Sequence, residues 1–99
     1  MTEAMSVETI RLSSRVRSRG VGDEGVLVHL ESGRVLVVNE VGQHIVEAIG
    51  RRAMTVDELS DAVASAFDVD ASQARADVMA FLDQLRAENA VVPGDAGKP

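Results

Sequence analysis

Three glycines in the first part of the sequence have the spacing Gly-x-Gly-x-x-Gly of a dinucleotide-binding loop: Gly20, Gly22 and Gly25. That motif binds a pyrophosphate only where a strand precedes it and a helix follows it, because the helix N-terminus receives the phosphates. Here a β-rich segment follows the glycines, and Asp23 and Glu24 would repel a phosphate. We therefore interpret the glycines as a turn between two strands.

A second group of residues resembles the beginning of a calcium-binding loop. Asp68 and Asp70 have the alternating spacing of such a loop, but its sixth position is Gln73 instead of glycine and its twelfth is Met79 instead of glutamate. Calcium binding is therefore not expected. The aspartates are better interpreted as turn and helix-cap residues.

The two histidines, His29 and His44, have no second histidine or cysteine at the spacing of metal ligands. No nucleophile-elbow pattern accompanies them, so a serine-type catalytic triad is not predicted either. Both histidines are expected to be structural or surface groups. The sequence thus predicts a protein that is not an enzyme, with no catalytic residue, metal or cofactor.

The composition fits one small domain. Of the 99 residues, 45% are hydrophobic, which suffices for one modest core. There is no cysteine, which fits a reducing cytoplasm better than a secreted disulfide scaffold. Apolar runs are short, and the N-terminus contains Glu3 and Glu8 where a signal peptide would be basic and then apolar, so no membrane association is expected. We predict a folded domain at residues 9–92 between flexible ends at 1–8 and 93–99.

The charge distribution bears on the class of partner. A net charge of −6 disfavours nucleic acid, because neutralisation of phosphates supplies most of such affinity. Four arginines nevertheless cluster near the N-terminus: Arg11, Arg15, Arg17 and Arg19. On a strand, the last three would share one face. The simpler interpretation is a solvated face, and the alternative is a patch that binds an acidic peptide.

Residues 12–39 have the composition and alternation of β-strands. Strands at residues 14–21, 26–30 and 34–38 are predicted to form an antiparallel meander, with a three-residue loop that places Gly33 in the left-handed conformation. This loop pairs Leu30 with Arg34. One face then carries Val26, Val28, Leu30, Leu36 and Val38, and the other carries Leu27, His29, Val35 and Val37. The second face is too apolar to remain in water, so a homodimer or cover by the N-terminal segment is expected.

From Glu40 onward the hydrophobic period is helical. Three helices are predicted, each preceded by a residue suited to the N-cap position: Asn39, Thr55 and Asp70. Thr55 and Glu58 have the spacing of a capping box. The helices are expected to end near Gly50, Phe67 and Asn89. The predicted fold class is α+β, a three-stranded antiparallel sheet followed by three helices on one of its faces.

Two features of this fold could bind an extended peptide. The strand at residues 34–38 lies at the edge of the meander, and an edge strand can pair with an added strand. The third helix carries a stripe of two arginines and two apolar side chains: Arg75, Met79, Leu82 and Arg86. Such a stripe could form a groove with the edge strand and hold a peptide with apolar anchors and acidic flanks. Alternatively, Met79 and Leu82 widen the core face of the helix and the arginines are solvated.

The order of these segments resembles a known family. The segments are Gly25-Val-Leu-Val-His-Leu-Glu-Ser-Gly-Arg-Val-Leu-Val-Val-Asn39-Glu-Val-Gly42, then Ile45-Val-Glu-Ala-Ile49, Thr55-Val-Asp-Glu-Leu59 and Ala76-Asp-Val-Met-Ala-Phe-Leu-Asp-Gln-Leu85. Over residues 15–92 the sequence resembles the PqqD-like family, the precursor peptide recognition elements of ribosomally synthesised and post-translationally modified peptides (RiPPs). The resemblance implies a winged helix-turn-helix-like domain that binds the leader region of a precursor peptide.

In that family the leader adds to the third strand of the meander and lies against the third helix. Carried over to this sequence, the peptide-binding residues would be Arg34, Val35, Leu36, Val37 and Val38 on the strand and Arg75, Val78, Met79, Leu82 and Arg86 on the helix. Many members have aromatic residues in the strand, where this chain has Val35 and Leu36, so its anchor preference should differ. The implied partners are a leader protease and a cyclase in lasso-peptide biosynthesis, which we favour, or a radical SAM enzyme in pyrroloquinoline quinone biosynthesis.

The rival class is a winged-helix DNA-binding regulator, because the second and third helices could form a helix-turn-helix. Asp77, Asp83 and Glu88 on the third helix argue against it, since they would face the phosphate backbone. An enzyme would require a cofactor or a turnover that no motif predicts. We therefore expect a leader-peptide adaptor.

Overall fold

The computed structural model describes residues 8–94 of the chain. Its strands are β1 (Ile10–Leu12), β2 (Val16–Val21), β3 (Glu24–His29), β4 (Val35–Val38) and β5 (Val91–Pro93), and its helices are α1 (Glu40–Arg51), α2 (Val56–Phe67) and α3 (Ala71–Ala87). Strands β2, β3 and β4 form an antiparallel meander with β3 in the middle. The predicted α+β class and the predicted order of the meander and helices are confirmed. Residues 1–7 and 95–99, which make up most of the predicted flexible ends, lie outside the described part.

A second, two-stranded sheet was not predicted. It pairs β1 with β5, and Ile10 lies opposite Pro93. The backbone of Ile10 also exchanges hydrogen bonds of 2.7 and 2.9 Å with that of Met54, between α1 and α2. Each of these strands has only three residues, too few for an alternating pattern to be recognised in the sequence.

The hairpin between β3 and β4 is one residue longer than predicted. The His29 N–H donates to the Arg34 carbonyl at 2.9 Å and the Gly33 N–H donates to the His29 carbonyl at 2.8 Å, so Leu30 to Gly33 form a four-residue loop. Gly33 has φ +76°, in the left-handed region as predicted. The register is therefore shifted by one position, and Val28 pairs with Val35 where Leu36 was expected.

Because side chains alternate along a strand, this shift moves the side chains of β3 to the opposite face from the one predicted. Leu27 and His29 are buried on the inner face with Val38 and the half-buried Leu36. The outer face instead carries four valines: Val26, Val28, Val35 and Val37. The predicted faces were thus wrong for the side chains of β3 and correct for those of β4.

Gly25 gives a physical reason for this register. It lies on the inner face of β3, and a Cβ there would be 1.8 Å from the Oε1 atom of Gln43 on α1. Glycine permits so close an approach. Because side chains alternate along a strand, the register that directs position 25 towards α1 also directs the side chains of Leu27 and His29 to the inner face. The turn prediction for the glycine motif is confirmed, since Gly20 pairs with Gly25 across β2 and β3 and Gly22 has φ +63° in the connecting turn.

All three predicted helix caps are present. The Asn39 Oδ1 accepts from the Gly42 N–H at 2.9 Å, and the Asp70 Oδ1 accepts from the Gln73 N–H at 2.8 Å. Thr55 and Glu58 form the complete capping box. Helix α1 packs against β2, β3 and β4, while α2 and α3 pack against each other. The largest completely buried side chains lie between these layers: Leu27, Ile45, Ile49, Leu59, Leu82 and Leu85. No helix within residues 8–94 has the length and apolarity needed to cross a membrane.

Candidate functional site

The outer edge of β4 carries backbone groups that the meander does not use. The hydrogen bond from the His29 N–H to the Arg34 carbonyl determines which residues of β4 bond to β3, because hydrogen-bonded positions alternate along the strand. Leu36 and Val38 therefore direct their backbone groups towards β3, whereas the N–H and C=O groups of Val35 and Val37 point away from it. Within residues 8–94, no strand pairs with this edge. The edge can thus accept an added strand without disturbing the β3–β4 pairing.

Helix α3 approaches β4 at both ends of the strand. At the start of β4, the Arg34 Nη2 atom lies 2.8 Å from the Glu88 Oε2 atom. At the end of β4, Gly42 separates Val38 from Phe81, and a Cβ on this glycine would be 3.0 Å from the Phe81 ring and 3.0 Å from the Val38 Cβ. The chain therefore runs along β4 and along this part of α3 in opposite directions.

A groove opens between the end of β4, the first turn of α1 and α3. It has a volume of about 290 Å³ and is lined by Asn39, Val41, Gly42, Asp77, Ala80, Phe81 and Gln84. Phe81 lines the groove and is only half-buried, so it leaves apolar surface there; Leu36 of β4 is also half-buried, and both pack against the core. The groove combines apolar surface, two amides and a carboxylate near the end of an unpaired strand edge.

The α3 wall of the groove is not the stripe that the sequence predicted. Asp77, Phe81, Gln84 and Glu88 recur at the spacing of one helix face, and this face lies towards β4. In the sequence, Asp77 and Glu88 were interpreted only as obstacles to DNA binding, and Gln84 was not singled out. A polar stripe with one aromatic residue gives no signal of its own, so only the packing of α3 identifies it.

The predicted helix stripe lies on other sides of α3. Arg75 forms an ion pair with Asp57 in the first turn of α2. Arg86 lines a cavity with Ile10 of β1 and the three residues of β5, and its Nη1 atom lies 3.4 Å from Asp83 Oδ1. Met79 is 44% exposed. The structure does not bring these side chains together with β4.

Two further predicted site residues, Val78 and Leu82, are completely buried in the core. In this conformation they support α3 and present no surface to a ligand. On β4, Arg34 is engaged with Glu88 and Val38 is buried on the inner face. Val35 and Val37 are 60% and 65% exposed on the outer face.

The outer face of the meander joins apolar and basic side chains. Arg17 pairs with Val28 and Arg19 with Val26, so the two arginines lie on the same face as the outer valines. Arg15 precedes β2 and was predicted to share this face, but it lies in a turn. The expected cover of this face by a second copy or by the N-terminal segment stays a prediction.

The two histidines have structural surroundings. Both ring nitrogens of the buried His29 are used, since Nε2 lies 3.1 Å from the Asn89 carbonyl oxygen and Nδ1 lies 3.3 Å from the Glu31 nitrogen. An acceptor at Nδ1 and a donor at Nε2 match the neutral imidazole. His44 packs edge-on against Phe67, with ring centroids 5.5 Å apart. In the described part of the chain, no three His, Cys, Asp or Glu side chains are grouped closely enough to hold a metal ion.

The fold is similar to those of solved peptide-recognition proteins. A structure described as TbiB1 in complex with the TbiA(beta) leader peptide shares 26% sequence identity, with a TM-score of 0.73 over 90% of this chain and 98% of that chain. A lasso peptide synthetase B1 complexed with the leader peptide shares 20% identity, with a TM-score of 0.69 over 85% and 98%. The PqqD part of Methylobacterium extorquens PqqCD, described as a stand-alone RiPP recognition element, shares 20% identity, with a TM-score of 0.71 over 90% and 95%.

A search of curated protein sequences gives no significant match. A family model does match, and its description is coenzyme PQQ synthesis protein D (PqqD). The match covers residues 24–91, from the start of β3 to the first residue of β5, and so includes β4, α3 and the groove between them. Since this is more than half of the sequence, the chain belongs to the PqqD family.

Proposed function

We propose that this chain is a non-catalytic adaptor that captures the leader region of a ribosomally made precursor peptide by strand addition to β4. The observation that carries the proposal is the unpaired edge of β4, which lies beside the groove against α3. An added strand would form backbone hydrogen bonds with Val35 and Val37, and every second side chain of the added strand would lie in the groove. Two of the structurally similar proteins were solved with a leader peptide bound, which supports a leader peptide as the ligand here.

The proposed site differs in part from the one inferred from the sequence. It keeps the strand residues Arg34, Val35, Leu36, Val37 and Val38 and takes its helix wall from the Asp77, Phe81, Gln84 and Glu88 face. Arg75, Met79 and Arg86 would contact only a segment of the peptide that continues past α3 towards β1 and β5. Leu36 and Phe81 would supply the apolar anchoring surface.

The adaptor would act by raising the concentration of the precursor at a processing enzyme, without chemistry of its own. We propose lasso-peptide biosynthesis in the cytoplasm as the pathway, with a leader protease and a cyclase as the partner enzymes. The likeness in fold to a lasso peptide synthetase B1 supports this choice. The name of the matched family favours the second candidate, a peptide chaperone for a radical SAM enzyme in pyrroloquinoline quinone biosynthesis. The precursor that binds would distinguish the two pathways.

The test is a titration of the ¹⁵N-labelled chain with precursor peptides encoded near its gene, followed by NMR and calorimetry. We expect the amide signals of Val35 and Val37 and those of the α3 face from Asp77 to Glu88 to shift together. Shifts confined to the Arg75, Met79 and Arg86 side of α3 would contradict the site. Salt-sensitive binding to duplex DNA without any peptide binding would instead favour the DNA-binding class.

A further inference from the structure

The groove at the end of β4, between the first turn of α1 and α3, has an acidic side chain in its lining. Asp77 is the one charged side chain among its lining residues, and no lysine or arginine of residues 8–94 lines it. The Asp77 Oδ1 atom accepts a hydrogen bond of 2.9 Å from the Gln73 side chain, and within the described residues no cation pairs with this exposed carboxylate. The arginine stripe predicted from the sequence would have required an acidic peptide. The Asp77 carboxylate in the observed groove would instead attract a cationic side chain.

Contacts of an added strand with α3 can be assigned because residues 34–39 and residues 77–88 span similar lengths. From Arg34 to Asn39 an extended chain rises roughly 16 Å, and from Glu88 back to Asp77 a helix also rises roughly 16 Å. Arg34 meets Glu88 at one end, and Asn39 and Asp77 line the groove at the other. A strand added to β4 would therefore pass the residues of the α3 face in order.

The direction of the added strand sets the order of the contacts. Val35 and Val37 belong to an antiparallel sheet, and antiparallel pairing is somewhat more stable than parallel pairing. An added strand antiparallel to β4 would begin at the Asn39 end and finish at the Arg34 end, so its first residues would lie near Asp77 and its next ones near Phe81. Its side chains that point into the groove recur every roughly 7 Å, close to the rise of roughly 6 Å from Asp77 to Phe81.

Resting on the function proposed above, we infer that the captured segment contains a lysine or arginine followed two residues later by an apolar residue. The cation contacts Asp77 and the apolar side chain covers Phe81 and Leu36. The residue between them points to the outer face of the sheet, beside Val35 and Val37. Asp77 is thus a specificity-determining residue of the groove.

The test uses a yeast-displayed library of random peptides of roughly ten residues, sorted against the full chain. Peptides that shift the Val35 and Val37 amides are selected, and their sequences are compared. We expect them to be enriched in Lys or Arg two residues before an apolar residue. For one such peptide, Asp77→Asn should weaken binding about three- to fivefold at low salt, and Asp77→Lys about tenfold. Glutamate in place of the peptide's cation should restore binding to the Asp77→Lys variant.

Asp83→Asn is the matched control, because Asp83 lies on another face of α3, beside Arg86, and the variant should bind as the wild type does. Peptides that bind at β4 without a preference for a cation, or with equal affinity for the wild type and Asp77→Asn, would overturn the inference and leave strand capture intact. A library that yields no peptide at the β4 edge would overturn the proposed function, and the inference with it.

Discussion

The Nε2 atom of His29 in β3 lies 3.1 Å from the carbonyl oxygen of Asn89, just beyond the end of α3, and this contact joins residues 60 positions apart. Together with the Arg34–Glu88 ion pair, it fixes the distance between the hairpin and the helix at one end of the groove. His29→Leu would leave the Asn89 carbonyl and the Glu31 N–H without this partner, so we expect unfolding to become easier by about 1–3 kcal/mol. Urea denaturation measures this loss.

Arg34→Ala provides the comparison for that variant. The ion pair is solvent-exposed on the arginine side, where the side chain keeps 63% of its accessible surface. Its loss should therefore lower stability by less than about 1 kcal/mol. If Arg34→Ala were as destabilising as His29→Leu, the buried histidine would not be the stronger of the two contacts between the hairpin and α3.

Gly42 permits a close approach of α1 to Phe81 and Val38 at the groove. Gly42→Ala would place a Cβ 3.0 Å from each neighbour, so one or both of them would have to shift. We expect a loss of stability of about 1–3 kcal/mol from overpacking, together with weaker peptide binding. Thermal unfolding and peptide titration test the two effects separately.

Gly50 in the same helix is the matched control for Gly42. A Cβ there meets only the Leu12 Cδ2 atom, at 3.7 Å, which is an ordinary contact. Gly50→Ala should therefore raise stability by up to about 1 kcal/mol through helix propensity and leave peptide binding unchanged. Equal effects of the two substitutions would show that the close approach at Gly42 is unimportant.

Local features of this fold could be predicted from the sequence, and features that depend on distant contacts could not. The caps at Asn39, Thr55 and Asp70 each involve residues within one turn, so spacing alone identified them. The β3 register depended on one residue of loop length, and the burial of Leu27 and His29 that favours it depends on packing against other elements. The periodicity of α3 grouped Leu82, which is buried in the core, with the exposed Met79 and two arginines. It could not say which stripe lies towards β4, because that depends on how α2 and α3 pack.

The helix caps predict how stability depends on pH in acid. The backbone N–H of Thr55 holds the pKa of Glu58 below its ordinary value, with Arg52 as a smaller cause, and the backbone N–H of Gln73 does the same for the pKa of Asp70. A carboxyl whose pKa is lower in the folded state stabilises the fold above its unfolded pKa and loses that effect as the pH falls through the folded pKa. Stability should therefore decline on acidification below the ordinary carboxyl range, and Glu58→Gln and Asp70→Asn should each flatten that decline. An unchanged pH profile in both variants would contradict this role of the caps.

Proline substitutions along β4 can separate peptide capture from folding. Val37 directs its N–H away from β3, so Val37→Pro removes a donor to the guest strand and no bond of the ladder, whereas Leu36→Pro removes a bond to β3. We expect Val37→Pro to weaken leader binding about fivefold, since one backbone hydrogen bond of about 1 kcal/mol is lost. Its denaturation midpoint should fall much less than that of Leu36→Pro. Because the two positions are adjacent on one strand, a similar loss of stability in both would mean that the edge of β4 is not free, and the strand-addition mode would have to be abandoned.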